Sequence, residues 1–288
     1  MKISQAITAS SIAIMAITPM IRQTFQVYLA LLICGCQGNP PPKAGLPTQK
    51  NQPITLRVAA ATDLQPWLGE TISEWGTNQV PSINVQTIYG SSGQLSAQIR
   101  AGAPVDLFLT ADIAIVEQLS REKLAMPKSV KIYALGRLAV IFHKSVDLKT
   151  WDAVDKPEIK RLVIANPETA PYGRSARATL KQAGVWEKIS KRVVVAESVR
   201  QALQQVISGN AETGIVSLGQ AREAVQNHSD LNYLEIPERN HPPINQGLAV
   251  VNHADQSEPM RKSATELADW ILSPAATPVF QNHGLNRP

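Results

Sequence analysis

From residue 54 to the C-terminus, short apolar runs alternate with stretches whose apolar positions recur at helical spacing. Residues 55–61 (T-L-R-V-A-A-A) form the unbroken pattern of a buried strand, and residues 83–89 (I-N-V-Q-T-I-Y) alternate as a half-buried strand does. Residues 64–75 place Leu64, Trp67, Leu68, Ile72 and Trp75 on one helical face. Residues 95–101 and 175–184 read as further helices, the second with Gly184 as its stop. Apolar runs over 106–110, 137–142, 161–165, 193–196, 213–217 and 248–251 predict more strands, and residues 258–272 and 274–283 predict two C-terminal helices. Strands alternating with helices imply α/β layers, and no short tandem repeat interrupts them.

The first 53 residues lack this periodicity. Residues 1–35 read as an export signal: Lys2 and Arg22 supply positive charge, an apolar run over 27–33 follows, and the segment ends I-C-G-C. The run is too short and interrupted for a comfortable membrane span. Its end resembles a bacterial lipobox, which would make Cys36 a lipidated N-terminus. A plain secretory signal and a true start at Met20 are the alternatives. Residues 36–53 are proline-rich and read as a tether. Together they imply an exported domain that works at the outer face of a membrane, tethered there if Cys36 is lipidated.

Composition narrows the choice. A length of 288 residues with 44% apolar and 18% charged residues suits a folded, two-domain body. The net charge is +5, and two of the basic residues precede Cys36 with no acid beside them, so the exported chain carries only +3. No basic stripe interleaved with aromatics supports nucleic-acid binding. Both cysteines, Cys34 and Cys36, precede the body, which therefore has no disulfide, cysteine zinc site or thiol nucleophile.

In open α/β sheets, ligands bind beyond the carboxyl ends of strands, beside helix N-termini. Four such turns are rich in small or polar residues: A-A-A-T-D-L (59–64), Y-G-S-S-G-Q (89–94), A-P-Y-G-R-S (170–175) and A-E-S-V-R-Q (196–201). Taken singly, Thr62 or Asp63, Ser92 and Ser198 are expected helix caps. Taken together, four converging helix ends would hold an anion on backbone N–H groups without a basic side chain. Nucleophilic catalysis is poorly supported. Gly90 and Gly93 are too close for a G-x-S-x-G elbow, and the histidines His143, His228, His241, His253 and His283 stand in no recognisable context. There is no phosphate-binding G-x-x-x-x-G-K-[ST] loop and no H-E-x-x-H, so no enzyme, no cofactor and no cation site is expected.

The segment G-S-S-G-Q-L-S-A-Q-I-R-A-G-A-P-V-D-L-F-L-T-A-D (90–112), supported by V-A-A-A-T-D-L, A-N-P-E-T-A-P-Y-G-R-S-A, A-E-S-V-R-Q-A-L and T-G-I-V-S, resembles the periplasmic molybdate-binding proteins, the substrate-binding components of molybdate ABC transporters. The resemblance runs from about residue 54 to the C-terminus. It implies an α/β, two-lobed periplasmic-binding-protein type II fold with the ligand cleft between lobes. Lobe 1 would span 54–136 plus 247–288, and lobe 2 would span 137–246, with crossings near 138–142 and 248–251.

By the same resemblance, Thr62 and Ser92 would offer hydroxyls to a molybdate or tungstate oxyanion, and Tyr172 and Val199 would offer backbone N–H groups. Ser217 stands where some members carry a ligand tyrosine. It is too short for that bond, so the Tyr172 hydroxyl, a water or nothing would replace it. Asp63 stands where some members have asparagine. A carboxylate facing a dianion is costly, so Asp63 is expected to turn away as a cap or to give only its N–H. Arg174 and Arg200 flank the ligand turns as solvated charges or as steering groups, and Asp106 and Asp112 are expected caps or turn formers. The implied partners are molybdate or tungstate and a membrane ABC permease, with the receptor monomeric. A receptor for another small oxyanion such as sulfate, and a secreted serine hydrolase using Ser91 or Ser92, are the competing readings.

Overall fold

The computed structural model describes residues 54–65 and 67–288. The export signal, Cys36 and the tether therefore lie outside the described residues.

In the first part of the chain, β1 (Ile54–Ala61) leads through a 3₁₀ turn (Thr62–Leu64) to α1 (Trp67–Thr77), followed by β2 (Ile83–Gly90), α2 (Ser92–Arg100), β3 (Leu107–Thr110), α3 (Ile113–Arg121) and β4 (Lys131–Gly136). Next come β5 (Leu138–His143), β6 (Leu162–Ala165), α4 (Pro171–Gln182), a short α5 (Trp186–Ile189), β7 (Val193–Ala196), α6 (Val199–Ile207), β8 (Thr213–Ser217), α7 (Leu218–Asn227) and β9 (Leu231–Glu235). The chain ends with β10 (Ile244–Val250), α8 (Glu258–Leu272) and α9 (Thr277–Asn282).

The strands form two five-stranded sheets, ordered β2-β1-β3-β10-β4 and β7-β6-β8-β5-β9. The two share a plan. Three parallel strands lie at one side (β2, β1, β3 and β7, β6, β8), and an antiparallel strand, β10 or β5, joins them. Arg137 alone separates β4 of the first sheet from β5 of the second, and the chain returns between β9 and β10. The first sheet is covered on both faces. Leu56, Leu68, Ile72, Leu248, Leu267 and Phe280 pack one side, and Leu95, Ile99, Phe108, Val116 and Leu119 pack the other. The second sheet buries a single large core that includes Leu138, Ile141, Val163, Leu180, Leu203 and Ile215.

Several elements depart from the pattern reading. The helix expected over 64–75 is broken: Gln65 is extended (φ −83°, ψ 141°), as a residue preceding a proline should be, and α1 begins only at Trp67. The third helix starts at Pro171, not Ser175, because proline suits the first helical turn. Strands β4 and β9 lack a continuous apolar run because they are edge strands with only part of each buried. Helices α3 and α7 add to the pattern reading: α3 buries Val116 and Leu119, and α7 buries Leu218, Gln220, Ala221 and Ala224. Among the described residues, no helix is long and apolar enough to cross a membrane.

Candidate functional site

The carboxyl ends of β1, β2, β6 and β7 each deliver the chain into the N-terminus of a helical turn, and these ends meet between the sheets. They border a small pocket lined by Ala61, Thr62, Asp63, Gly90, Ser91, Ser92, Ala111, Ala170, Pro171, Tyr172 and Val199. Thr62, Ser92, Tyr172 and Val199 are thus brought together, and all four are buried. Ser92 and Val199 are the first residues of α2 and α6, and Tyr172 is the second of α4. Backbone N–H groups at such positions have no acceptor within their own helix.

The two serines of the G-S-S-G turn have separate tasks. Ser91, not Ser92, caps α2, in a capping box with Gln94. Its N–H donates to Gln94 Oε1 at 3.3 Å and its hydroxyl donates to the same atom at 2.7 Å. Ser92 Oγ instead accepts the Ala111 N–H at 3.0 Å. With that acceptor role filled from behind, the Ser92 O–H proton is directed elsewhere, and the pocket is the open side. Ser198 caps α6 by accepting from Gln201 N at 3.2 Å, which frees the Val199 N–H at the helix tip.

The lobes are closed on one another around this pocket. The Gly93 N–H donates to the Thr169 carbonyl at 2.9 Å, and a Cβ at Gly93 would stand 2.7 Å from that oxygen. Gln94 Nε2 reaches Glu197 Oε1 at 2.6 Å, Gln220 Nε2 reaches the Thr62 carbonyl at 2.6 Å, and Arg174 Nη2 reaches Asp112 Oδ2 at 2.5 Å. Arg174 is therefore a clasp across the cleft, while Arg200 pairs more loosely with Glu223 at 3.8 Å. Asp112 also caps α3 through Ala114 N, and Asp106 takes the Arg57 N–H at 2.8 Å.

Asp63, expected to turn away as a cap or to give only its N–H, has its carboxylate bonded to Gln246. It lines the pocket, is 6% exposed, and belongs to a buried network. Tyr133 donates to Gln246 Oε1 at 2.6 Å, which forces the Gln246 amide nitrogen toward Asp63 Oδ2 at 2.5 Å and the Tyr172 hydroxyl at 3.0 Å. Gly136 makes room, since a Cβ there would lie 2.6 Å from the Tyr172 hydroxyl. Burial pushes the Asp63 carboxyl up to about 6, against the lowering effect of Gln246 and Tyr172. Burial, and then the neighbouring Asp63 charge, hold the Tyr172 and Tyr133 hydroxyls well above the ordinary tyrosine value. Asp63 Oδ1 is buried without any hydrogen-bond partner. Tyr133 and Gln246 were not visible as site-supporting residues in the sequence, because neither stands in one of the four turns.

Ser217 does not line the pocket. Its Oγ caps α7, accepting Gln220 N at 3.4 Å, and the Tyr172 hydroxyl is engaged in the Gln246 network. No histidine lines the pocket beside Ser91 or Ser92. His143, His241 and His253 bond to Val206, Pro242 and Asp106, and His283 stacks on Trp67. The described residues hold no cluster of three or more His, Cys, Asp or Glu able to bind a metal ion.

Two α/β lobes joined by crossing strands, with converging helix ends in a closed cleft, define a two-lobed periplasmic solute-binding protein. The bacterial extracellular solute-binding protein model matches residues 56–286, and the chain belongs to that family. It is 32% identical over 242 residues to the molybdate-binding protein ModA of Azotobacter vinelandii, covering 84% of this chain and 93% of that protein. It is 27% identical over 255 residues to the putative ABC transporter substrate-binding lipoprotein YvgL of Bacillus subtilis, covering 88% and 93%. The solved periplasmic molybdate-binding protein of A. vinelandii superposes with a TM-score of 0.72 at 29% identity, over 81% of this chain and 99% of that one. The family is one of solute-binding proteins, not enzymes.

Proposed function

We propose that this protein is the exported substrate-binding component of an ABC transporter, and that it captures molybdate or tungstate between its lobes. The observation that carries the reading is the lining: Thr62 and the first-turn residues Ser92, Tyr172 and Val199 of α2, α4 and α6 border one small pocket with no lysine or arginine in its wall. Such a lining compensates a dianion by oriented dipoles, which gain strength in a dry, closed site. The similarity to proteins named as molybdate-binding, over most of their length, supports the particular anion.

The mechanism is capture by closure. The anion meets Thr62 and Ser92 on one lobe, and the Tyr172 and Val199 N–H groups close on it from the other. Its oxygens are held by hydrogen bonds alone, so no cofactor or cation is needed. Selection over sulfate rests on size, because a smaller ion leaves the donors long. Closure also sets the lobe surfaces that a membrane permease would read before release. The protein works as a monomer in the periplasm, held by a lipid on Cys36; the relative named as a lipoprotein supports that anchor.

Calorimetric titration with molybdate, tungstate, sulfate and phosphate tests the assignment. Tight binding of the first two and weak binding of the others is expected. Preference for sulfate or phosphate would overturn molybdate as the ligand while leaving an anion receptor.

A further inference from the structure

Two glycines outside the four ligand turns meet where the lobes touch. Gly219 is the second residue of α7, which packs on the second sheet, and it faces the turn that ends α9 on the first. A Cβ added to Gly219 would overlap the His283 carbonyl oxygen and stand 3.0 Å from the carbonyl carbon. From the other side, a Cβ on Gly284 would lie 2.8 Å from Gly219 N and 3.0 Å from Gly219 Cα. The two lobes therefore meet here backbone to backbone, closer than any side chain permits.

Both sides of this contact are anchored. On one side, Leu218 is buried in the second core, and its N–H donates at 2.9 Å to the carbonyl of Arg137, the single residue joining β4 to β5. On the other side, the His283 N–H donates to the Phe280 carbonyl at 3.1 Å, and so does the Leu285 N–H. Leu285 is buried in the first core, Asn286 pairs with Leu135 of β4 in both directions at 2.8 and 3.0 Å, and the His283 ring stacks on Trp67 at 4.4 Å. The contact also sits beside the pocket. The next residue, Gln220, donates through Nε2 to the carbonyl of Thr62, which lines it.

We propose that the Gly219–His283 contact is the stop that sets how far the lobes close, which makes Gly219 a specificity-determining residue although it touches no ligand. It acts as a positioning residue: it fixes the distance of Thr62 and Ser92 on one lobe from Tyr172 and Val199 on the other. The inference rests on the oxyanion reading and deepens its size argument. Selection by size requires a cleft that does not shrink onto a smaller ion. Backbone pressed on backbone between two packed cores yields little, because close-packed interiors compress little and transmit strain. The stop lies next to the strand crossing, so a small wedge there becomes a larger gap farther from the crossing.

The test is competition calorimetry of the mature chain with molybdate, chromate and sulfate, tetrahedral dianions of decreasing size. Wild type is compared with Gly219→Ala and Gly219→Val. Gly284 has φ 77°, where any side chain strains the turn, so Gly219 is the cleaner position. Gly219→Ala should weaken molybdate roughly tenfold or more, as donors on one lobe draw away from the ion. Chromate and sulfate should lose at least roughly threefold more than molybdate, because a widened cleft fits a smaller ion worse. Gly219→Val should move the ratios further in the same direction. A parallel loss for all three ions would be general damage and would overturn the stop, as would an unchanged molybdate affinity. Unliganded variants should unfold in urea as wild type does, since the open lobes accommodate the wedge. A variant that does not fold without anion would place the contact in the fold and not in closure, and would overturn the stop too. Wild-type preference for sulfate would overturn the molybdate assignment instead, and the same ratios would then judge the stop.

Discussion

Gly93→Ala separates closure from folding. Gly93 is the second residue of α2, and its N–H bonds to the Thr169 carbonyl of the other lobe at 2.9 Å. An added Cβ would lie 2.7 Å from that oxygen, 3.1 Å from Thr169 Cα and 3.3 Å from its carbonyl carbon. All three are backbone atoms, so no side-chain rotation relieves the clash and the lobes must part by several tenths of an ångström. The proposed anion donors on the far lobe, the Tyr172 and Val199 N–H groups, retreat with it. A hydrogen bond to a charged partner is worth about 1.5–3 kcal/mol. Losing the equivalent of one such bond, about 2 kcal/mol, weakens molybdate binding roughly 30-fold, and losing two weakens it roughly 1,000-fold. Within the helix itself, alanine is favoured over glycine by up to about 1 kcal/mol. Thermal unfolding of the unliganded variant should therefore match or slightly exceed wild type while calorimetry shows the loss. Affinity within about threefold of wild type, or a clear fall in unliganded stability, would refute the assignment of Gly93 to the closing surface.

Three further outcomes follow from the same geometry. Ser92→Ala removes a proposed donor to the anion and also strands the buried Ala111 N–H, so binding should weaken by roughly 10- to 100-fold by calorimetry, with about 1–3 kcal/mol lost in urea unfolding. Val199→Ala should leave affinity nearly unchanged, whereas Val199→Pro should weaken it at least roughly tenfold with the circular dichroism spectrum preserved. Proline is tolerated at this first helical position, and Ser198 (φ −143°, ψ 167°) already has the extended backbone that must precede it, so only the N–H is lost. Unliganded Asp63→Asn should gain on wild type as pH rises. The folded-state value is raised from 3.8 to about 6, so the favourable contribution is complete below about pH 4 and lost through about pH 6. The gap in urea unfolding free energy should grow across that window by on the order of 3 kcal/mol and then level off.

Much of this site is legible in local sequence because helix N-termini have local signatures. Y-G-S-S-G-Q and A-E-S-V-R-Q place serine next to a helix start, and the backbone donors follow from the helix geometry itself. The assignment of hydroxyls within the turn was less legible, since only the fold places Ala111 N behind Ser92 and leaves Ser91 as the cap. The setting of Asp63 was not legible. Its partner Gln246 lies 183 residues away, and Gln246 is itself oriented by Tyr133 from a half-buried edge strand. The inter-lobe clasp of Arg174 and Asp112 joins residues 62 apart that each read as ordinary surface or capping charges. No periodicity encodes such pairs; they exist only once both sheets are formed and the cleft is closed.

The central claim is that neutral donors from both lobes close on a fully deprotonated oxyanion. Its most direct measurement is a competition titration of the purified mature chain with molybdate against sulfate and phosphate near neutral pH. Molybdate should bind at one site per chain, and a 100-fold excess of sulfate or phosphate, roughly 2.7 kcal/mol of mass action, should not dislodge it. Loss of bound molybdate to equal concentrations of either competitor would contradict the account.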